Sequence, residues 1–156
     1  MRLNIKHELK FFYESLMKYA SFYGSFLFWT SVVILLIILN QKSFAIKFIT
    51  ATILVMAIEY SIKGLHKVRR PDFKEIKAYS LVQKFQEGGS FPSGHSANIA
   101  LFTTMLHATY QIYPLTIFFA IMAVLVGLSR VYLKRHYFRD VLGGYVLGII
   151  VGYLMY

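Results

Sequence analysis

Three short clusters of residues in this chain have the chemistry needed to bind and cleave a phosphate ester. In chain order they are Lys63 with Arg70-Pro71, then Pro92-Ser93-Gly94-His95, then Ser129-Arg130 with His136 and Asp140. Their cations Lys63, Arg70 and Arg130 stand at the ends of apolar segments, where a charge is costly unless it meets an opposite one. The clusters therefore predict a common site for an anion.

A phosphate group suits these cations in charge and in geometry. Three converging cations match the charge of a phosphate monoester and of the transition state for its transfer. Arginine adds forked donors that bind two phosphate oxygens at once. Ser93 and Gly94 stand just before a predicted helix, whose N-terminal N–H groups bind phosphate, and glycine lets the backbone approach closely.

His136 and His95 are the candidates for covalent and acid–base catalysis. Asp140 follows His136 by four residues, so a helix beginning near His136 would place both side chains on one face. A carboxylate on one ring nitrogen fixes the tautomer and leaves the other nitrogen free to attack. We therefore expect His136 to be the nucleophile and Asp140 to orient it. His95 is expected to protonate the leaving alkoxide and then help to activate water.

The apolar segments predict an all-α integral membrane helical bundle. The 156-residue chain is 57% hydrophobic and only 15% charged, whereas a soluble domain exposes a larger polar fraction. Five transmembrane helices are predicted, over residues 21–39, 44–62, 96–113, 114–129 and 141–156. In the fifth, Gly144, Gly148 and Gly152 repeat every four residues and predict a smooth ridge for close helix packing.

The remaining segments belong to the same single domain, residues 1–156. Residues 1–19 mix aromatic, apolar and charged positions, which indicates an amphipathic helix in the membrane interface, with a solvated helix as the alternative. Residues 64–92 form a polar loop that carries part of the clusters. Within it, residues 73–86 predict a short helix or lid that rests on the membrane, with an uncommitted loop as the alternative.

Charge and composition also bear on partners and cofactors. The net charge is +10, but the basic residues lie between apolar blocks, so anionic lipid fits better than nucleic acid. The chain shows no feature that requires a protein partner. It has no cysteine, and Asp140 is the one acidic residue in the clusters, a poor set for Zn²⁺ or Mg²⁺. No metal or cofactor is expected. Glu59 could pair with Lys63, and Arg69 could make a further phosphate contact.

The clusters resemble the three motifs of the type 2 phosphatidic acid phosphatase family, Lys-x6-Arg-Pro, Pro-Ser-Gly-His and Ser-Arg-x5-His-x3-Asp. Every motif position is matched in the family's order between residues 63 and 140. The resemblance implies a phosphohistidine at His136, with Asp140 as its partner and His95 as the acid. It implies the phosphate ligands Lys63, Arg70, Ser93, Gly94 and Arg130. Membrane members commonly have six spanning helices, against the five predicted here.

The resemblance implies a metal-independent membrane lipid phosphatase that acts on a phosphate monoester or diphosphate. The chain looks most like the compact bacterial lipid A 1-phosphatases, and undecaprenyl diphosphate and phosphatidylglycerophosphate are the alternative substrates. Two other classes of protein share some features. A vanadium haloperoxidase would use the same residues, but known relatives of that kind are soluble. A transporter would leave the catalytic set unexplained.

Two signals disagree on the membrane topology. Of the 17 Lys and Arg residues, 15 fall on the side of the clusters, and Lys42 and Lys47 fall on the other. The positive-inside rule would place the clusters in the cytoplasm. Membrane members of the family usually have the site toward the periplasm, and several of these charges are needed for phosphate. We therefore expect a bacterial inner-membrane protein with a periplasmic site.

Overall fold

A computed structural model describes residues 5–66, 68–71 and 89–156 of the chain. Within these ranges it has six α-helices and no strand, which confirms the all-α prediction. The helices are α1 Ile5–Phe22, α2 Phe26–Ile38, α3 Lys42–Leu65, α4 Gly94–Tyr110, α5 Tyr113–Tyr132 and α6 Phe138–Met155. The predicted lid at residues 73–86 lies outside the described ranges.

Helix α4 is the central helix of the bundle and contacts α3, α5 and α6. Its closest neighbour is α6, because the three glycines of α6 present no side chain to it. A Cβ atom at Gly144, Gly148 or Gly152 would overlap with Ser93 O, Ala97 O or Thr104 Cβ, respectively. The packing ridge that the glycine spacing predicts is therefore confirmed.

An aromatic cluster fixes α2 and α3 against α4. The indole of Trp29, on α2, lies 5.4 Å from the ring of Phe48 and 4.9 Å from that of Phe102, between centroids. All three side chains are buried. Each such pair contributes about 0.5–1.5 kcal/mol beyond the burial of its area. The cluster thus holds α3 and α4, which carry site residues at their far ends, in a fixed relation.

The outer surface of the bundle is apolar, as expected for a protein in lipid. Ile46, Ile53, Phe118 and Leu154 are among many large hydrophobic side chains that are exposed. Within the described ranges, α3, α5 and α6 are long and apolar enough to cross a membrane. Helices α1 and α2 add a fourth crossing if they form one broken span, bent by 51°. By length and composition, the described ranges therefore hold three candidate spans, or four with the bent pair, beside the five crossings predicted from the sequence.

The prediction of a continuous helix over residues 21–39 is wrong. Helix α1 ends at Phe22 and α2 begins at Phe26. The break occurs because Ser25 caps α2, accepting a hydrogen bond at its Oγ from the Phe28 N–H at 3.3 Å. The 13 residues of α2 reach about 20 Å, less than the hydrocarbon core of about 30 Å. Helix α4, with 17 residues, is also shorter than the three candidate spans α3, α5 and α6.

The three long helices extend beyond the predicted bounds because charged residues continue them. Helix α3 includes Lys42 and Lys63, α5 includes Arg130, and α6 includes Asp140. Helix α1 continues past residue 19 and contacts α5. The N-terminal helix predicted at residues 1–19 is therefore present over its described part, and it ends at the same side of the bundle as the three clusters.

Candidate active site

A cavity of about 270 Å³ at one end of the bundle brings the three clusters together. It is lined by Glu59, Tyr60, Lys63, Arg70, Gly94, His95, Arg130 and His136. Seven of these were expected from the sequence, and Tyr60 was not. The side chains come from the end of α3, the chain after it, the start of α4, the end of α5 and the turn before α6. This cavity is the candidate active site.

The cations in the cavity are held by neighbouring elements. Arg130 stands in the last turn of α5, where a positive charge interacts favourably with the helix dipole. Its Nη1 donates to the Ser21 Oγ of α1 at 2.7 Å. Lys63 stands in the last turn of α3 and forms an ion pair with Glu59. Arg70 lies on the short segment after α3 and reaches the same cavity.

The second cluster forms the N-terminus of α4. Ser93 is buried, and its Oγ accepts from the Ser96 N–H at 3.5 Å and from the Ser96 hydroxyl at 3.0 Å. Its hydroxyl therefore caps the helix and does not line the cavity, where a direct contact with phosphate was expected of it. Gly94, the first residue of α4, does line the cavity. The N-terminal dipole of α4 consequently faces the three cations.

His136 is positioned by the turn that follows α5. The chain turns at Lys134, which has a left-handed φ of 55°. The N–H groups of Arg135 and His136 then donate to the Arg130 carbonyl at 3.0 and 3.2 Å. These bonds satisfy the end of the helix and hold the backbone of His136 against that of Arg130, whose side chain should share its phosphate.

A backbone carbonyl fixes the tautomer of His136. Its Nδ1 lies 2.7 Å from the Ser90 carbonyl oxygen, which can only accept. Nδ1 must therefore carry the proton, and Nε2 keeps its lone pair. Burial and the nearby Arg130 lower the pKa of His136 to about 3, although the bond to Ser90 acts in the opposite sense. The ring is thus neutral near pH 7, and its lone pair lies on Nε2.

Asp140 is close to His136 but does not make the contact expected of it. Its Oδ2 lies 3.8 Å from the Nδ1 of His136, beyond hydrogen-bond distance. The same oxygen accepts from the Tyr137 N–H at 2.8 Å and so caps α6. Asp140 is fully buried. Its carboxylate therefore supplies negative charge beside the imidazole, while Ser90 supplies the hydrogen bond.

His95 stands in the first turn of α4 and is covered by the turn between α1 and α2. A Cβ atom at Gly24 would lie 2.6 Å from the Cβ of His95 and 2.9 Å from its Cδ2. The Cβ of His95 is fixed to the backbone of α4, so it could make room for a side chain at Gly24 only if α4 moved. Position 24 therefore requires glycine, because any larger residue would collide with His95. The backbone at Gly24 also limits where the His95 ring can lie.

Replacing Gly24 by alanine should lower turnover by about tenfold or more, because a displacement of about 1 Å in a catalytic group has large effects on rate. The matched control is Gly64→Ala, since no atom lies within 4 Å of a Cβ at Gly64. Both variants are measured for phosphate release and for thermal unfolding in detergent. Equal activity of the two variants would show that the contact with His95 has no catalytic importance.

Several residues of the site have no motif that marks them in the sequence. Ser21 binds Arg130 through its hydroxyl, Gly24 covers His95, and Ser90 acts through its backbone. The dipeptide Gly24-Ser25 inside an apolar run is a signal for a break. Three predicted residues, Ser93, Asp140 and Arg69, are not among those that line the cavity. Ser93 and Asp140 are buried beside it, whereas Arg69 is exposed.

Comparison with known proteins identifies the family. The model of the PAP2 superfamily matches residues 44–156. Phosphatidylglycerophosphatase B of Bacillus subtilis is 36% identical over 55% of this chain and 43% of its own length. Undecaprenyl-diphosphatase BcrC of the same species is 41% identical over 65% of this chain and 50% of its own. The chain thus spans about half the length of these two relatives.

The fold is shared with solved structures. A transmembrane PAP2-type phosphatidylglycerolphosphate phosphatase from Bacillus subtilis superposes with a TM-score of 0.73 at 25% identity, over 92% of this chain and 75% of that one. LpxE from Aquifex aeolicus gives a TM-score of 0.76 at 24% identity, over 92% and 85%. An undecaprenyl-diphosphatase of Sulfolobus acidocaldarius is 31% identical over 90% of this chain and 68% of its own length. With that relative and the match over residues 44–156, the chain belongs to the PAP2 superfamily.

Proposed function

We propose that this protein is a membrane lipid phosphatase that works through a phosphohistidine at His136. The observation that carries the proposal is the cavity at the end of the bundle, in which three cations surround a neutral histidine with a free Nε2. The apolar outer surface supports a position of the bundle in the bilayer, where lipid headgroups would reach this cavity. The named relatives, a phosphatidylglycerophosphatase and undecaprenyl-diphosphatases, act on lipids and support the same class of substrate.

In the first step, the lipid phosphate binds to Lys63, Arg70, Arg130 and the N-terminus of α4. Nε2 of His136 attacks phosphorus, and the bond from phosphorus to the lipid oxygen breaks. His95 donates its proton to that oxygen, so that an alcohol leaves in place of an alkoxide. Burial and the nearby cations lower the pKa of His95. The negative charge of the bound phosphate opposes that shift and so favours the protonated form needed for this step.

In the second step, water replaces the histidine on phosphorus. His95, now neutral, accepts a proton from the water as its oxygen attacks. The bond from phosphorus to Nε2 breaks, and inorganic phosphate leaves. The Nε2 of His136 regains its lone pair. The proton stays on Nδ1 throughout, hydrogen-bonded to the Ser90 carbonyl. Among the described residues no group of three or more His, Asp or Glu side chains could hold a metal ion, and we propose that neither step uses one.

Replacing Asp140 by asparagine tests what its charge contributes. Asparagine keeps an oxygen that can accept from the Tyr137 N–H, so the cap of α6 survives. The negative charge that stabilises the positive ring of the phosphohistidine is lost. Because Ser90 still fixes the tautomer, we expect a loss in kcat on the order of 10- to 100-fold, smaller than the roughly 10⁴-fold loss seen where the carboxylate itself sets the tautomer. A loss equal to that of His136→Ala would contradict this division of roles.

The substrate itself is open to direct measurement. We propose a lipid that carries a terminal phosphate, with lipid A 1-phosphate, undecaprenyl diphosphate and phosphatidylglycerophosphate as the three candidates. The purified protein is given each lipid in detergent, with and without excess EDTA, and phosphate release is compared by kcat/KM. One lipid should be preferred about tenfold or more, activity should survive EDTA, and vanadate should inhibit. Failure on every lipid would refute the proposed function, and restoration by Mg²⁺ or Zn²⁺ after EDTA would refute the metal-free mechanism.

We also propose that the cavity faces the periplasm from the inner membrane. The two ends of α3 provide a matched test, because the chain has no cysteine of its own. Gly64→Cys places a thiol in open space near the cavity, and Lys42→Cys places one at the opposite end of the helix. In intact spheroplasts of a Gram-negative host, an impermeant maleimide should label only Gly64→Cys. Labelling of only Lys42→Cys would put the site in the cytoplasm.

A further inference from the structure

The cavity contains one anion among its cations. Glu59 stands one turn before Lys63 on α3, and its Oε1 accepts from the Lys63 Nζ. The two side chains are 12% and 11% exposed, so the pair is largely shielded from water. A carboxylate in this place is unexpected in a phosphate site, because it repels the group that the surrounding cations attract.

The same carboxylate also lies on the N-terminus of α4. A Cβ atom at Gly94 would be 2.5 Å from the Oε2 of Glu59 and 2.7 Å from its Oε1. The space that glycine leaves open at the start of the helix is therefore occupied by this carboxylate. Glu59 thus contacts Lys63 and the first residue of α4, the two features that are expected to bind the substrate phosphate.

We infer that Glu59 is an internal competitor for the phosphate position. In the substrate-free site its carboxylate occupies part of that position, and it gives way when a lipid phosphate with more negative charge binds. After hydrolysis it returns to Lys63 and weakens the hold on inorganic phosphate. The inference rests on the proposed function, because it assigns a role to a residue in that same site.

The positive charge of the cavity explains how a competing carboxylate would help the product to leave. Without Glu59, the cations Lys63, Arg70 and Arg130 and the dipole of α4 would all act on the product, inorganic phosphate. Strong binding of product and substrate alike lowers KM without raising kcat, and it slows release. A carboxylate that competes for one cation and for the helix N-terminus limits product binding, while His136 and His95 still act on the bound substrate.

The variant Glu59→Gln tests the inference, because glutamine keeps the length of the side chain and an oxygen that can accept from Lys63. Only the charge is removed. The inhibition constants for inorganic phosphate and vanadate should fall about tenfold or more, as expected for removing a like charge at close range. KM for the lipid and kcat should both fall, because product leaves more slowly. Direct titration with inorganic phosphate in a calorimeter gives the same comparison without any lipid.

A matched control is Glu14→Gln on α1. Glu14 also pairs with a lysine four residues away, Lys10, at 4.0 Å, but its side chain is 41% exposed and outside the cavity. This variant should bind phosphate as the wild-type protein does. If Glu59 served only to orient Lys63, removing its charge would weaken phosphate binding. An inhibition constant that rises, or that stays unchanged, in Glu59→Gln overturns the inference.

The wild-type protein offers a second measurement should Glu59→Gln fail to fold. Infrared difference spectra of protein with ¹³C-labelled glutamate should show a shifted carboxylate band when inorganic phosphate is added, because the carboxylate leaves Lys63. Absence of that shift at saturating phosphate overturns the inference. A wild-type protein that binds neither phosphate nor vanadate and hydrolyses no lipid would refute the proposed function itself.

Discussion

Replacing His136 by alanine should abolish turnover and the covalent phosphoenzyme together. The Nε2 of His136 is the nucleophile in the proposed first step, and alanine has no group that can replace it. We expect a loss in kcat on the order of 10⁴-fold or more, as when a catalytic nucleophile is removed from other hydrolases. Substrate binding should persist, because Lys63, Arg70 and Arg130 are unchanged.

The measurement is a rapid quench, in detergent at alkaline pH, of enzyme with lipid that carries a ³²P-labelled phosphate. Wild-type protein should retain a label that is stable in base and labile in acid, as expected of a phosphohistidine, and His136→Ala should retain none. The matched control is His66→Ala, since His66 is exposed at the end of α3 and outside the cavity. Label on His136→Ala would show that a different residue attacks phosphorus.

The sequence predicts the residues that line the cavity well, because phosphate chemistry requires particular side chains and these side chains stand at recognisable spacings. Lys63, Arg70, His95, Arg130 and His136 all line it. What the sequence does not predict is the partner of His136. Any residue has a carbonyl, so Ser90 carries no distinguishing feature, whereas the spacing of Asp140 drew attention to its carboxylate. In the structure, the Nδ1 of His136 lies 2.7 Å from the Ser90 carbonyl oxygen, which is a hydrogen bond. It lies 3.8 Å from the Oδ2 of Asp140, which is too far for one.

The glycines also differ in how far the sequence reveals their roles. Gly144, Gly148 and Gly152 were predictable as a packing ridge because their period matches a helix face. Gly24 belongs to no periodic pattern. Its importance comes from His95, a residue 71 positions later in the chain that packs on it. Hydropathy favoured a continuous helix through Gly24, because the segment 21–39 has no charge. The tertiary contact and the cap at Ser25 prevailed over that local preference.

Replacing His95 by alanine should have an effect that depends on the leaving group of the substrate. A lipid alkoxide leaves poorly unless it is protonated, so hydrolysis of the natural class of substrate should fall on the order of 10²- to 10⁴-fold. Nitrophenolate is a stable anion and needs little protonation. With nitrophenyl phosphate, His136 should therefore still be phosphorylated in the His95→Ala variant, with a burst of nitrophenolate equal to the enzyme present.

The second step should then be slow in the same variant, because His95 is also the base that activates water. Acid-labile, base-stable phosphate should consequently accumulate on His95→Ala to a higher level than on the wild-type protein, while His136→Ala accumulates none. The double variant His95→Ala, His136→Ala is the control for non-specific label. If label accumulates on His136→Ala and is absent from His95→Ala, the roles are reversed, and the ring beside Gly24 is the nucleophile, with the ring held by Ser90 as the acid.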